Sequence, residues 1–427
     1  MRFRTLGEWL LWQEGLHPKK IDLGLERVAL VWQRLYAGKR LPFRVITVAG
    51  TNGKGSSVAL LEAILSASGY RVGCFTSPHL VRYNERIRLD GREVEDAPLC
   101  AAFEQIDQAR GSISLSYFEF SALAALQIFS MAKPDVVVLE VGLGGRLDAV
   151  NIVDPDLALI TTIALDHTDW LGNTLDQIGK EKAGIMRSHK PVVCASPAVP
   201  DSLIAHARKI EAELHLAGTD FTYRQYADSW DWWSPVEHME HLPLPALQGE
   251  YQLQNAAAVI MGLLQLRSLL QVDRTAIDQG LKAVRISGRF QRLQGAPVIL
   301  LDVAHNPEAV GVLVHNLQRT PCTGQTRAVF GMMADKDVAS VVTIMADQVN
   351  SWYLADLGVS RGMPTKKLRE ILLAAGVDGT AVECYPTAVE AFEQAKESAL
   401  ANDRILIFGS FCLVGDTLAH IGAASRK

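Results

Sequence analysis

The segment Val45-Ile-Thr-Val-Ala-Gly-Thr-Asn-Gly-Lys-Gly-Ser-Ser-Val58 constrains this chain more than any other. Val45–Val48 is apolar and β-branched, the pattern of a buried strand, and it breaks into a glycine-punctuated loop. From Ser56 onward the apolar spacing turns helical. Strand, glycine loop, lysine, hydroxyl and helix is the order that cradles nucleotide phosphates. Loop N–H groups and the positive end of the helix point at the anion, the lysine reaches the terminal phosphates, and a hydroxyl can face Mg²⁺. The spacing departs from G-x-x-x-x-G-K-[ST], because only Thr51 and Asn52 separate Gly50 from Gly53 and Gly55 intrudes before Ser56. A glycine-rich turn beside a surface lysine is the bland alternative, and the flanking strand and helix make it the weaker one. Gly50, Thr51, Asn52, Gly53, Lys54, Gly55 and Ser56 read as an ATP site.

The rest of the chain repeats the strand-and-helix alternation. Periodicity predicts helices over Leu23–Tyr36, Phe118–Met131 and Leu175–Met186, and strands over Tyr70–Phe75, Asp135–Glu140, Leu157–Thr162 and Pro191–Ala195. Asp90-Gly91 marks a hairpin within 87–94. The segment 221–247, with Trp230, Trp232 and Trp233, reads as an irregular β excursion, followed by helices near 251–270 and 273–284. Turn residues over Ile286–Pro297 suggest a linker. Beyond it, strands near 298–302, 326–330, 350–355, 381–384 and 403–408 alternate with helices. The fold class expected is α/β, with two open, mainly parallel sheets flanked by helices. A larger N-terminal P-loop ATPase domain spans 1–286, a hinge linker 287–296, and a smaller Rossmann-like domain 297–427.

Composition excludes several classes of function. At 427 residues the chain exceeds one typical core. A net charge of -5 supplies no electrostatic drive towards nucleic acid or an anionic membrane. The six cysteines lack C-x-x-C spacing, which favours buried thiols in a reducing compartment over disulfides or zinc. No apolar stretch is long enough to span a bilayer, and Glu8 and Glu14 spoil the Trp9–Trp12 patch as a targeting signal. A cytosolic protein is expected, with a monomer as the default.

Chemistry gathers at strand ends. Glu140 closes its strand and leads into Val-Gly-Leu-Gly-Gly-Arg-Leu-Asp148, so its carboxylate sits where Mg²⁺ or a water would be held. Asp166, His167 and Asp169 follow another strand at the edge that carries Glu140 and Lys54. Lys180-Glu-Lys182 reads from spacing alone as a solvated charge run. In the second domain Asp302, His305 and Asn306 follow a strand and open a helix, and capping is at least as good a reading as chemistry. Phe330–Asp337 is a similar strand-to-loop transition.

The motifs together resemble the folylpolyglutamate synthase/dihydrofolate synthase family of ATP-dependent ligases, relatives of the cell-wall Mur ligases. The resemblance covers about residues 20–420 and rests on Ala49–Ser56, Thr76–Arg88, Tyr117–Phe120, Glu140–Ala149, Leu165–Gly172, Lys180–Ile185, Ser287–Phe290 and Asp302–Pro307. Ser77-Pro-His-Leu followed by Asn84-Glu-Arg-Ile is its most specific mark. It implies that Ser77 and Glu140 bind one Mg²⁺, with Glu140 shared by a second that His167 also binds. Lys182 matches a lysine that is carbamylated, which turns an ammonium into an anionic oxygen ligand and overrides the bland reading of its charge run. Asn255 matches an adenine-side contact, and Arg289 and Asp302 would reach the nucleotide from the hinge and the second domain. Ile21, Asp22, Leu23 and Gly24, Ser116, Tyr117, Phe118 and Glu119, and Leu147, Asp148 and Ala149 match segments that hold the pterin substrate. The segment near Trp230 has no counterpart to which it can be assigned.

The implied reaction adds L-glutamate to dihydropteroate and to the γ-carboxylate of reduced folates through an acyl phosphate. Lys54, two Mg²⁺ ions and loop N–H groups would offset the repulsion between ATP and the carboxylate. His305 is the best candidate to accept the proton of the glutamate amine, and a closing cleft would exclude water. Folylpolyglutamate synthase activity alone, a cell-wall amino-acid ligase, a P-loop NTPase without ligation and a non-catalytic binding protein are the other readings. Lys54 with Glu140 and His167 argues against the last.

Overall fold

The computed structural model describes residues 2–19, 21–38 and 40–424, and its contacts divide the chain into two units. Met1–Pro78, Asn84–Ala246 and Gln252–Val284 make the first, and His79–Tyr83, Leu247–Tyr251 and Arg285–Lys427 the second. Among the described residues no helix is long and apolar enough to cross a membrane.

Eight strands form the main sheet of the first unit: β1 Arg44–Ala49, β2 Val72–Phe75, β3 Ile87–Leu89, β4 Arg92–Glu93, β5 Val136–Glu140, β6 Leu157–Ile160, β7 Pro191–Cys194 and β8 Glu213–Leu216. Their order is β4-β3-β2-β5-β1-β6-β7-β8. The six strands from β2 to β8 in that order are parallel, and β3 and β4 form an antiparallel hairpin at one edge, turning at Asp90-Gly91. Every residue of β5 and β6 is buried, as is β1 after Arg44, which is why these strands read as unbroken apolar runs. Strand order reverses at β1: the next strand in the chain, β2, lies beyond β5, while β6 pairs on the other side. Loops leaving the carboxyl ends of β5, β1 and β6 therefore open side by side, the position at which open α/β sheets bind ligands.

The expected irregular β excursion is a three-stranded antiparallel meander, β9 Thr222–Gln225, β10 Ser229–Trp233 and β11 His238–Pro243, whose β10–β11 register shifts between Trp230 and Trp232. Alternation along β10 buries Trp230 and Trp232. Their indole N–H groups donate to the Pro243 carbonyl at 2.9 Å and the Ala257 carbonyl at 3.1 Å, so the second tryptophan anchors the Glu250–Gln265 helix.

In the second unit β12 Gln291–Leu293, β13 Val298–Asp302, β14 Thr326–Phe330, β15 Ser351–Ala355, β16 Val382–Tyr385 and β17 Arg404–Phe408 form a sheet of order β12-β13-β17-β14-β15-β16. All pairs are parallel except β12 with β13, so part of the expected linker is an edge strand. Side chains alternate between two apolar clusters, with Phe330, Trp352 and Phe408 in one and Val329, Tyr353 and Ile407 in the other.

Candidate functional site

The helix after β1 spans Lys54–Ala67, starting before Ser56, and Gly53 stands at its N-cap with φ 87°. That left-handed backbone favours glycine, and a Cβ there would lie 2.6 Å from Asn255 Oδ1. Asn255, buried on the Glu250–Gln265 helix, is thus brought against the phosphate loop. The Lys54 ammonium folds back over the loop, donating to the carbonyls of Gly50 at 2.9 Å and Thr51 at 3.1 Å. Two buried threonines past β6 hold the other side. The Thr162 carbonyl accepts the Thr51 N–H at 2.7 Å, the Thr162 hydroxyl accepts the Asn52 N–H at 3.1 Å, and the Thr161 hydroxyl donates to the Asn52 carbonyl at 2.6 Å. Sequence reasoning missed both, since paired threonines after a strand carry no motif.

Glu140 lies at the end of β5 in register with Val48 of β1 and is 4% exposed. Its Oε2 accepts the Ser77 N–H at 3.1 Å, which brings two of the expected metal ligands together. His167 stands at the N-cap of the short Thr168–Leu171 helix with φ 52°, in the left-handed region. Lys182 belongs to the Leu175–Ala183 helix and is 2% exposed, so it departs from the solvated charge run, in which Lys180 stays exposed and Glu181 half-buried. Its helix packs on the glycine loop after Glu140: a Cβ on Gly145 would lie 2.9 Å from the Glu181 carbonyl and 3.3 Å from Lys182 Cα. An ammonium held so far from water is unfavourable unless nearby charge compensates it.

Two of the three expected pterin segments are tied together by residues that sequence reasoning passed over. Arg27 donates to the Asp22 carboxylate at 2.6 Å, the Asp22 carbonyl at 2.8 Å and Glu119 at 3.0 Å. His17 bridges the Ser114 hydroxyl and Asp22. Ser116 and Glu119 form a capping box at the start of the Tyr117–Ala132 helix. The Phe118 ring packs on Gly142, and Arg86 lies over the Tyr117 ring at 5.5 Å. Asp148 is buried, and its carboxylate accepts N–H groups from Gly142, Leu143 and Val150, which shapes the Leu147–Ala149 segment. Burial lifts its pKa to about 7 against those donors and the Lys54 charge. Ile21, Leu23 and Gly24 are partly exposed beside Asp22.

In the second unit Asp302 ends β13. Its two oxygens accept the N–H groups of Phe290 and Ala304, each at 2.8 Å, and pin the Ser287–Phe290 turn. Burial pushes this carboxyl up while Arg289 pulls it down. Arg289 sits 5.3 Å from the centre of the Phe411 ring, and the His305 ring 6.0 Å from it, so Phe411 is a missed residue that gathers both. His305 Nδ1 lies 2.7 Å from the Val303 carbonyl; that contact places the proton on Nδ1 and leaves Nε2 as the acceptor. Asn306 caps the Pro307–Arg319 helix by accepting the Ala309 N–H at 2.9 Å.

Among the described residues no group of three or more His, Cys, Asp and Glu side chains is gathered to hold a metal ion. Glu140, Ser77 and His167 offer one buried carboxylate, one hydroxyl and one imidazole. Hard divalent cations accept the two oxygen donors, Glu140 and Ser77, and complete their shell with phosphate oxygens and water, so that pair fits a cation that arrives with its nucleotide, whereas the His167 imidazole is a softer donor.

A phosphate loop at a strand-order reversal, with a buried carboxylate on the next strand, defines a nucleotide-dependent enzyme of the P-loop type. Residues 48–262 match the Mur ligase middle domain and residues 288–411 the Mur ligase, glutamate ligase domain. The dihydrofolate synthase/folylpolyglutamate synthase of Escherichia coli K12 is 44% identical over 97% of this chain and 94% of its own length. The E. coli FolC structure in complex with DHPP and ADP matches with TM-score 0.93, 43% identity and 99% coverage of both chains. A bifunctional folylpolyglutamate synthase/dihydrofolate synthase structure with Mn, AMPPNP and L-glutamate bound matches with TM-score 0.90, 43% identity and 98% coverage of both. The chain belongs to the dihydrofolate synthase/folylpolyglutamate synthase family of Mur ligases.

Proposed function

We propose that this chain joins L-glutamate to dihydropteroate, forming dihydrofolate, and to the γ-carboxylate of reduced folates, extending a polyglutamate tail. The observation that carries the reading is the Lys54 loop beside buried Glu140 on the carboxyl ends of adjoining strands, with the helix of buried Lys182 packed on the glycine loop that follows Glu140. A carboxylate is a poor acyl donor because its leaving group would be oxide. ATP transfers its γ-phosphoryl group to a carboxylate oxygen and leaves as ADP. The glutamate amine then attacks the acyl carbon and phosphate departs. Gly50–Ser56 and Lys54 hold and neutralise the triphosphate, with Asn255, Arg289 and Asp302 as further nucleotide residues.

Ser77 and Glu140 would hold one Mg²⁺ and Glu140 with His167 a second, and bound metal screens the charge of the triphosphate. Lys182, carbamylated, would present an anionic oxygen to that region. Asp22, Glu119 and Asp148 keep the acceptor segments in place through Arg27 and the loop N–H groups. His305 Nε2 accepts the proton of the attacking amine. A cytosolic monomer is the form we propose.

Purified protein with Mg·ATP and glutamate, given dihydropteroate or a reduced folate separately, tests this by product mass. A gain of one glutamyl residue on each acceptor is expected. ATP hydrolysis indifferent to glutamate would refute ligation.

A further inference from the structure

Arg88 and Glu62 form a partly buried ion pair, with side chains 21% and 12% exposed, to which the reading above gives no part. Glu62 lies on the helix that begins at Lys54, and Arg88 on β3. The guanidinium grips the carboxylate in a fork, Nη2 to Oε2 at 2.7 Å and Nε to the two oxygens at 3.1 and 3.2 Å. Its remaining nitrogen, Nη1, donates to the Thr76 hydroxyl at 3.3 Å and the Glu85 carbonyl at 3.2 Å. Thr76 immediately precedes Ser77, whose N–H reaches Glu140. One side chain thus joins the phosphate-loop helix, the turn before Ser77 and the stretch that returns to β3. Burial works against the Arg88 charge, but Cys74, Glu62 and Glu140 outweigh it and raise its pKa, so the cation also lies within the field of Glu140. Ion pairs drawn largely out of water contribute little net stability, because desolvation offsets their attraction, and a well-packed apolar pair would serve as well. A forked donor that reaches three segments is suited to fixing geometry instead.

We propose that Arg88 is a positioning residue for the metal–nucleotide end of the site: held by Glu62, it keeps the Thr76–Ser77 turn set against Glu140. The proposal rests on the reading that Ser77 and Glu140 receive a divalent cation. Groups that orient metal ligands from behind change metal affinity by about 10–100-fold when removed.

Calorimetric titration of AMPPNP at a series of Mg²⁺ concentrations tests it, alongside glutamate-dependent turnover. Arg88→Met should need about 10-fold more Mg²⁺ for half-maximal AMPPNP binding, with KM for acceptor and glutamate within about twofold of the parent. Arg88→Lys, which keeps the charge and loses the fork, should fall between. A merely structural residue would lower the thermal midpoint and leave the Mg²⁺ requirement of the folded fraction unchanged, and that result overturns the proposal. If Arg88→Met does not fold, the near-isosteric Glu62→Gln decides by the same titration: a raised Mg²⁺ requirement supports the assignment and an unaltered one overturns it. The parent protein is the control for the functional reading, which fails if AMPPNP binds it without any need for Mg²⁺.

Discussion

The carboxyl ends of β1 and β13 carry the same kind of junction, a parallel strand running through a polar loop into a helix. They differ at the helix N-cap. Asn306 closes the second with its own side chain, and Pro307 follows where no N–H is needed. Gly53 opens the first with no side chain, and no side-chain cap is made there. A helix that satisfies its first N–H groups internally has little to offer a phosphate, whereas one begun by glycine keeps its positive end for the ligand. Under the function proposed above, two junctions of like topology divide into an anion site and a scaffold that presents His305.

The largest test of that contrast is Lys54→Ala. It should lower glutamate-dependent ATP turnover by at least about 100-fold, the scale of losing one preorganised charge partner, while the thermal midpoint stays near the parent value. Retained turnover would remove the anion site from the first junction. Asp148→Asn probes the loop beside it. The folded state favours the protonated Asp148 carboxyl, so between its ordinary 3.8 and about 7 the native chain holds more protons than the unfolded one. The Asp148 contribution to stability is fully present below 3.8 and lost as pH rises through about 7. The thermal midpoint of the parent should fall relative to Asp148→Asn as pH rises across that window, and parallel curves would contradict it. The smallest effect belongs to Asn306→Ala, a lost cap costing about 1 kcal/mol in denaturant unfolding with AMPPNP affinity unaltered. Weakened nucleotide binding in that variant would mean the second junction is more than a scaffold.

What could be read from the sequence follows the physics of each element. β1, β5 and β6 were legible because strands buried on both faces read as continuous apolar runs, and Glu140 because it ends such a run. The Asp96–Arg110 helix and the edge strand β8 went unanticipated; the second, Glu213-Leu-His-Leu216, has only one partner and weak alternation. Lys182 looked like solvated charge because its burial comes from packing on Gly145, a contact between distant segments. Arg27 and Arg88 escaped for the same reason, since their partners Glu119 and Glu62 lie 92 and 26 residues away. The roles of Ser77 and His167 came from family resemblance, not from spacing.

The interleaved division of the chain bears on any attempt to dissect it. A fragment starting at Arg285 would lack His79–Tyr83 and Leu247–Tyr251, which pack with it. Gly415 is shaped for that missing peptide, since a Cβ there would come within 2.0 Å of the Leu80 carbonyl oxygen. Truncation at the natural-looking boundary would leave this notch empty, so an isolated C-terminal half should be expressed with the two short stretches supplied in trans or grafted.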